Sequence, residues 1–179
     1  MQSGDEQIKK PIAINECVLV VEDDNDLRPT FKNVLEGQGF KVTATASGND
    51  ALSILKEKYH DLIVLDVRMP GINGIELLKR IREIQINDKS HVIFVTGYAS
   101  EDVPVEALKL GADDYIKKPF ELPEFIRSVN SVTKLIREEK DKKYFFKKMV
   151  ERSQKLKENE IEISNLKKRI AELEGKIGE

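Results

Sequence analysis

A chain of 179 residues has room for one domain of ordinary size plus an appendage, and is too short for two full domains. Hydrophobic residues make up 40%, enough for a core, and a net charge of -2 gives no whole-chain reason to expect nucleic acid as a partner. The single cysteine, Cys17, excludes an internal disulfide, no stretch approaches the roughly 18 apolar residues of a membrane span, and the polar start MQSGDEQIKK lacks a signal-peptide core. The expected setting is the reducing cytoplasm, with no membrane partner.

Residues 1–14 read as a flexible leader. Five short, mostly hydrophobic segments then recur: CVLVV (17–21), FKVTAT (40–45), LIVL (62–65), HVIFV (91–95) and DYIK (114–117). They read as strands, with Cys17 a small buried hydrophobe at the head of the first. Three are continuous aliphatic runs, the pattern of parallel strands covered on both faces. Between them, helical spacing runs over about 26–37, 48–58, 73–85 and 101–110, the last closed by Gly111 as a C-terminal cap, and a fifth helix begins near Glu121. Strand-then-helix units with short loops predict a doubly wound α/β parallel sheet, whose ligands bind at the carboxyl edge. The globular unit is expected over 15–137.

The composition changes after about residue 137. Residues 138–179 hold 12 Lys or Arg and 10 Asp or Glu in 42 positions, leaving 18 and 22 to the rest. Such a segment has no globular core. It contains no proline and no glycine before Gly175, so the fifth helix is expected to continue as a rod of roughly 80 Å.

The strand ends carry the chemistry. The first runs into EDDND (22–26), the third into Asp66, the fourth into Thr96 and Gly97, and the fifth into Lys117, Lys118 and Pro119. A parallel sheet brings these ends to one edge, where converging carboxylates are unfavourable unless a cation is held between them. A site with only oxygen ligands suits Mg²⁺. Each piece alone has a plainer reading: EDDND as a helix cap, Asp66 as a loop acid before a Pro-Gly turn, a lone Thr or Lys as structural. All four in this order are much harder to obtain by chance.

Four motifs, VLVVEDDNDLR, LDVRMPGINGIELL, VIFVTGYA and GADDYIKKPF, resemble the receiver domain of two-component response regulators over about residues 15–137. The resemblance implies a flavodoxin-like five-stranded sheet of order 2-1-3-4-5. It implies Asp66 as phosphoacceptor for a histidine kinase or a small acyl phosphate, a receiver that catalyses its own Mg-dependent phosphotransfer without being a turnover enzyme. Mg²⁺ would be held by Asp23, Asp66 and the main-chain carbonyl of Arg68, with Glu22 acting through water. Lys118 would contact Asp66 and then the phosphate, with Pro119 in the cis form. Thr96 and Tyr115 would be the switch. Gly97 would leave space for the donor, and Gly71 and Gly74 would serve a tightly bent loop.

From Met149 apolar residues recur every seven: Met149, Leu156, Ile163, Ile170 and Ile177, with Leu166 and Leu173 at the intervening d positions. Ile at a with Leu at d favours a parallel two-stranded coil. The facing pairs Lys155–Glu160, Glu162–Lys167 and Arg169–Glu174 are all opposite in sign. Arg152 and Asn159 are polar d positions, so the coil should be firm near the C-terminus and looser between about 138 and 160. Tyr144, Phe145 and Phe146 have no role in this scheme, because three adjacent aromatics cannot share one seam. The basic cluster Lys140, Lys142, Lys143, Lys147 and Lys148 reads as solvated helix surface rather than a nucleic-acid site.

The leading expectation is therefore a phosphorylation-controlled receiver that transmits the state of Asp66 through its last helix into a homodimeric coil, the output domain or effector being invisible. The alternative is a stand-alone receiver acting as a phosphorelay intermediate, against which the tail argues weakly. A flavin protein on the same fold would need Ser, Thr and Gly where EDDND stands. A kinase dimerisation helix is excluded for the tail, since the only histidines are His60 and His91.

Overall fold

The structure is a computed structural model that describes residues 15–97 and 107–177. Its elements run β1 (Cys17–Val21), α1 (Leu27–Gly37), β2 (Lys41–Thr45), α2 (Gly48–Glu57), β3 (Leu62–Leu65), α3 (Gly74–Glu83), β4 (His91–Thr96), β5 (Asp114–Lys117) and a C-terminal helix (Leu122–Ile177). The five strands form one parallel sheet of order β2-β1-β3-β4-β5, the flavodoxin-like arrangement expected from the sequence. The predicted helix over 101–110 lies mostly outside the described residues. Its last turn, 107–109, is helical and ends at Gly111, whose φ of 75° is the left-handed value a glycine accepts freely.

The three continuous aliphatic runs, β1, β3 and β4, are the three interior strands, buried on both faces. Alternation with period 2 sorts their side chains into two cores. Leu19, Val21, Ile63, Leu65, Val92 and Phe94 face α2 and α3 residues such as Leu55, Leu78 and Ile81. On the opposite face Val18, Val20, Leu62, Val64, Ile93 and Val95 meet Phe31 and Leu35 of α1. Phe125, Val129, Val132 and Ile136 of the C-terminal helix join that second core, at spacings of four, three and four that keep them on one stripe. Phe31 stacks on Phe125 with ring centroids 4.5 Å apart.

Helix starts follow local chemistry. Ser47 accepts from the Asp50 amide at the start of α2, and Asn73 from the Glu76 amide at the start of α3. The structure revises two sequence expectations. Cys17 is half-buried rather than buried, since the side chains of interest to the core begin at Val18. Helix α3 stops at Glu83 rather than near 85, where a turn carries the chain to Asn87.

That turn anchors the amino edge of the sheet. Asn87 is fully buried; its amide nitrogen donates to the carbonyls of Leu55 and Lys58, and its oxygen accepts from the His60 amide and the Ser90 hydroxyl. The one Ser90 hydroxyl proton is shared between that oxygen and the His60 carbonyl, 2.7 Å from Ser90 Oγ. One side chain thus ties the end of α2 to the entries of β3 and β4. Arg82 does the same nearby, donating to the carbonyls of Asp88, Ser90, Leu110 and Gly111.

The chain divides into two compact units between Ile136 and Arg137. The second is helical through Ile177, and from 138 to 171 every residue is exposed. No helix of the described residues is long and apolar enough to cross a membrane. Asn87→Ala leaves several buried polar groups of the first unit without partners, so it should lower the unfolding free energy by about 3 kcal/mol in urea titrations. A loss below about 1 kcal/mol would mean that water replaces the amide.

Candidate functional site

The parallel register delivers the site. Asp66 follows β3 directly, and its amide donates to the carbonyl of Val21, the residue before Glu22, at 2.9 Å. Glu22, Asp23 and Asp66 therefore converge, each offering a carboxylate oxygen, all within 4.8 Å of one another. Lys118 arrives from the far edge: its Nζ donates to Asp66 Oδ2 at 2.8 Å and to the Glu22 oxygens at 2.9 and 2.8 Å. The other oxygen of Asp66 accepts from the Arg68 amide at 2.9 Å. The Lys118–Pro119 bond is cis, and the Lys118 amide donates to the Thr96 carbonyl. Thr96 is fully buried at the end of β4, beside Lys117 in the register. Tyr115, in β5, is half-buried against the first core.

The acidic loop after β1 divides its labour. Asp24 serves the start of α1, whose N-cap residue Asp26 makes no side-chain cap bond: Asp24 Oδ1 accepts from the amides of Asp26 and Leu27 at 2.8 and 2.9 Å, and those amides hold its carboxyl below the usual range. Glu22 and Asp23 are left to the site. Arg28, the last residue of the motif VLVVEDDNDLR, donates to the carbonyls of both, which steadies the loop that carries them. An arginine six residues after an acidic strand end was the signal available, but nothing in one dimension says which carbonyls it reaches.

The glycines have separate reasons. Gly71 has φ of 80° and makes the turn. Gly74 is required by space, because a Cβ there would stand 2.3 Å from the Asp66 carbonyl oxygen. At Gly97 a Cβ would lie 3.1 Å from Arg68 Nη2 and 3.8 Å from Lys118 Cβ, so the open side of that residue already borders a flexible guanidinium.

Among the described residues, Glu22 and Asp66 share the Lys118 ammonium. Burial pushes the Glu22 carboxyl up to about 7; the Lys118 ammonium opposes that shift, and the neighbouring Asp66 adds to it. Lys118 is itself raised, because its two carboxylate partners outweigh the burial that disfavours its charge. Burial and the charge of Asp66 raise the Tyr115 phenol. Three carboxylates of one cluster facing one ammonium suit a hard divalent cation among oxygen donors, and a carboxylate fixed beside an ammonium can also meet an electrophilic phosphoryl group. With its folded value raised, Glu22 holds a proton that the unfolded chain has released between about pH 4.5 and 7. In EDTA, stability should therefore fall as pH rises through that window, and Glu22→Gln should flatten the slope. A carbon-13 titration placing the Glu22 midpoint below 5 would contradict this.

The comparisons with known proteins agree with this geometry. Residues 18–130 match the model of the response regulator receiver domain. The chain is 36% identical over 115 residues to the phosphate regulon transcriptional regulatory protein PhoB of Rhizobium meliloti, covering 64% of this chain and 51% of that protein. It thus spans about half the length of the curated relatives it matches. Among solved structures, the Francisella response regulator 1452 receiver domain superposes with a TM-score of 0.61 at 38% identity, covering 67% of this chain and 98% of that one. The receiver domain of the sensor histidine kinase PA1611 from Pseudomonas aeruginosa, which has a magnesium ion coordinated in its active site cleft, superposes with a TM-score of 0.60 at 26% identity, covering 68% and 98%. With the sheet order, the acidic cluster and the lysine after β5 all in place, the chain belongs to the response regulator receiver domain family.

Proposed function

We propose that Asp66 is the phosphoacceptor of a phosphorylation-controlled receiver spanning 15–137, fed by a histidine kinase. The observation that carries this reading is the contact of Lys118 Nζ with both Asp66 and Glu22, in a cluster of three carboxylates. An oxygen of Asp66 attacks phosphorus, an O–P bond forms, and the P–N bond of a phosphohistidine, or the P–O bond of an acyl phosphate, breaks with its electron pair on the leaving group. Lys118 is placed to follow the charge from carboxylate to phosphoryl oxygen. Thr96 and Tyr115 read the change, Thr96 by turning its hydroxyl to the new group and Tyr115 by moving inward from its half-buried position.

The donor set fits Mg²⁺: Asp23 and Asp66 would hold it with the main-chain carbonyl of Arg68, and Glu22 through water, consistent with the magnesium site of the related kinase receiver. When bound, it offsets the charge that repels an incoming phosphoryl oxygen. Acetyl phosphate with Mg²⁺ should label the protein once per chain by intact mass. Asp66→Asn should abolish labelling, EDTA should do the same, and Lys118→Ala and Thr96→Ala should remain folded while losing any coupling to assembly. Full labelling of Asp66→Asn would refute the assignment.

The second part of the proposal concerns residues 138–179. The observation behind it is an unbroken helix whose heptad residues Met149, Leu156, Ile163, Leu166 and Ile170 are each more than half exposed. A second copy would cover Ile163, Leu166 and Ile170 as a firm parallel coil, loose between about 138 and 160, and carry the state of Asp66 along the helix. In sedimentation the chain should run as a dimer, whereas the double variant Ile163→Asp, Leu166→Asp should run as a monomer that still takes up phosphate. A monomeric parent chain, with and without beryllofluoride, would remove the coil from the proposal.

A further inference from the structure

Residues 140–157 read KDKKYFFKKMVERSQKLK. The segment is helical throughout and all of it is exposed. It holds eight Lys or Arg against Asp141 and Glu151, a net charge of +6, whereas residues 158–176 hold four against five. At about 100° per residue, Phe145, Leu156, Met149, Phe146 and Val150 fall in that order within an arc of about 140°, which also takes in Ser153 and, at the two ends of the segment, Lys142 and Lys157. Their exposures are 65, 56, 56, 69 and 41%. Lys143 flanks one margin of the arc and Arg152 the other, each within about 20°. Lys148 Nζ lies 5.8 Å from the centre of the Tyr144 ring, on the basic side.

A second copy does not account for this stretch. A two-stranded seam takes up a and d positions, so Phe145 and Met149 could enter it while Phe146 and Val150 stay outside. Parallel helices in register also lie about 8–10 Å apart, close to one Debye length at physiological salt, so two such +6 segments repel. A protein groove is also a poor match, because it reads a narrow stripe at i, i+3, i+4 and i+7, and here position 152 is arginine. Over 143–156 the arc is apolar but for Ser153, with cations on both shoulders and Lys142 and Lys157 at its two ends, and it fits a flat, anionic, partly apolar surface.

We propose that residues 140–157 lie along an anionic lipid surface, with Phe145, Phe146, Met149 and Val150 entering the boundary between headgroups and acyl chains. The lysines reach the headgroup phosphates from either side, their aliphatic stems lying along the apolar arc. Lying on a membrane needs no spanning helix, so the absence of one among the described residues does not oppose it. The assignment goes beyond the receiver chemistry and does not depend on Asp66.

The chain has no tryptophan, so Phe146→Trp introduces a single indole whose emission reports that position alone. With vesicles of three parts phosphatidylcholine to one part phosphatidylglycerol, its emission should shift to the blue, and the shift should weaken in high salt. Lys142→Gln with Lys143→Gln in that background should lower partitioning about 25-fold, at about fivefold per lysine. Tyr59→Trp, at an exposed site on the first unit, should stay unshifted. An unchanged Phe146→Trp spectrum at saturating lipid, or equal binding to pure phosphatidylcholine, would overturn the proposal. So would an equal shift with soluble poly-glutamate, which would point to an acidic protein partner.

Discussion

The Lys118 ammonium is the contact on which this site depends. It touches carboxylates that are 52 and 96 residues away in the chain, and it is one cation against a cluster of three acids. Such an arrangement holds only while the groups cannot move apart, since freed carboxylates would rather be solvated separately. The rigidity comes from strands buried on both faces, with Glu22 and Asp66 one residue past the last paired positions of β1 and β3. The remaining excess of negative charge appears as the raised Glu22 carboxyl, a proton standing where a hard cation would be welcome.

The two edges of the sheet solve opposite problems. At the amino edge the entries of β3 and β4 are tied down by hydrogen bonds, with Asn87 and Arg82 gathering carbonyls from several loops. At the carboxyl edge the polar groups are crowded rather than paired off. A stable floor beneath a poorly neutralised rim is what a binding edge of a parallel sheet requires. The C-terminal helix changes character along its length: the spacing of Phe125, Val129, Val132 and Ile136 serves the sheet core, and after Ile136 that buried stripe ends. The same helical geometry then presents a seven-residue repeat and a basic, aromatic segment, both exposed.

Much of this was legible in one dimension. Aliphatic runs without alternation marked β1, β3 and β4 as interior, because only a strand covered on both faces excludes polar side chains from every position. The site acids and Lys118 could be named because a parallel sheet sends every strand end to one edge. The resemblance put Glu22 and Asp23 of EDDND at the site; the structure adds that Asp24 accepts from the amides of Asp26 and Leu27 at the start of α1. Arg28 and Asn87 were not foreseen, since their partners are backbone carbonyls and amides, which carry no residue-specific signal.

The sequence by itself determined the parallel strand-then-helix architecture, the residues at the carboxyl edge and the heptad spacing, because periodicity and strand ends are local properties that survive without coordinates. Tertiary structure decided the rest. Which oxygen of Asp66 faces Lys118, why Gly74 tolerates no side chain and how far the Glu22 carboxyl is raised all depend on distances between segments remote in the chain. Those distances are set by packing, and a linear pattern records which groups meet but not how closely.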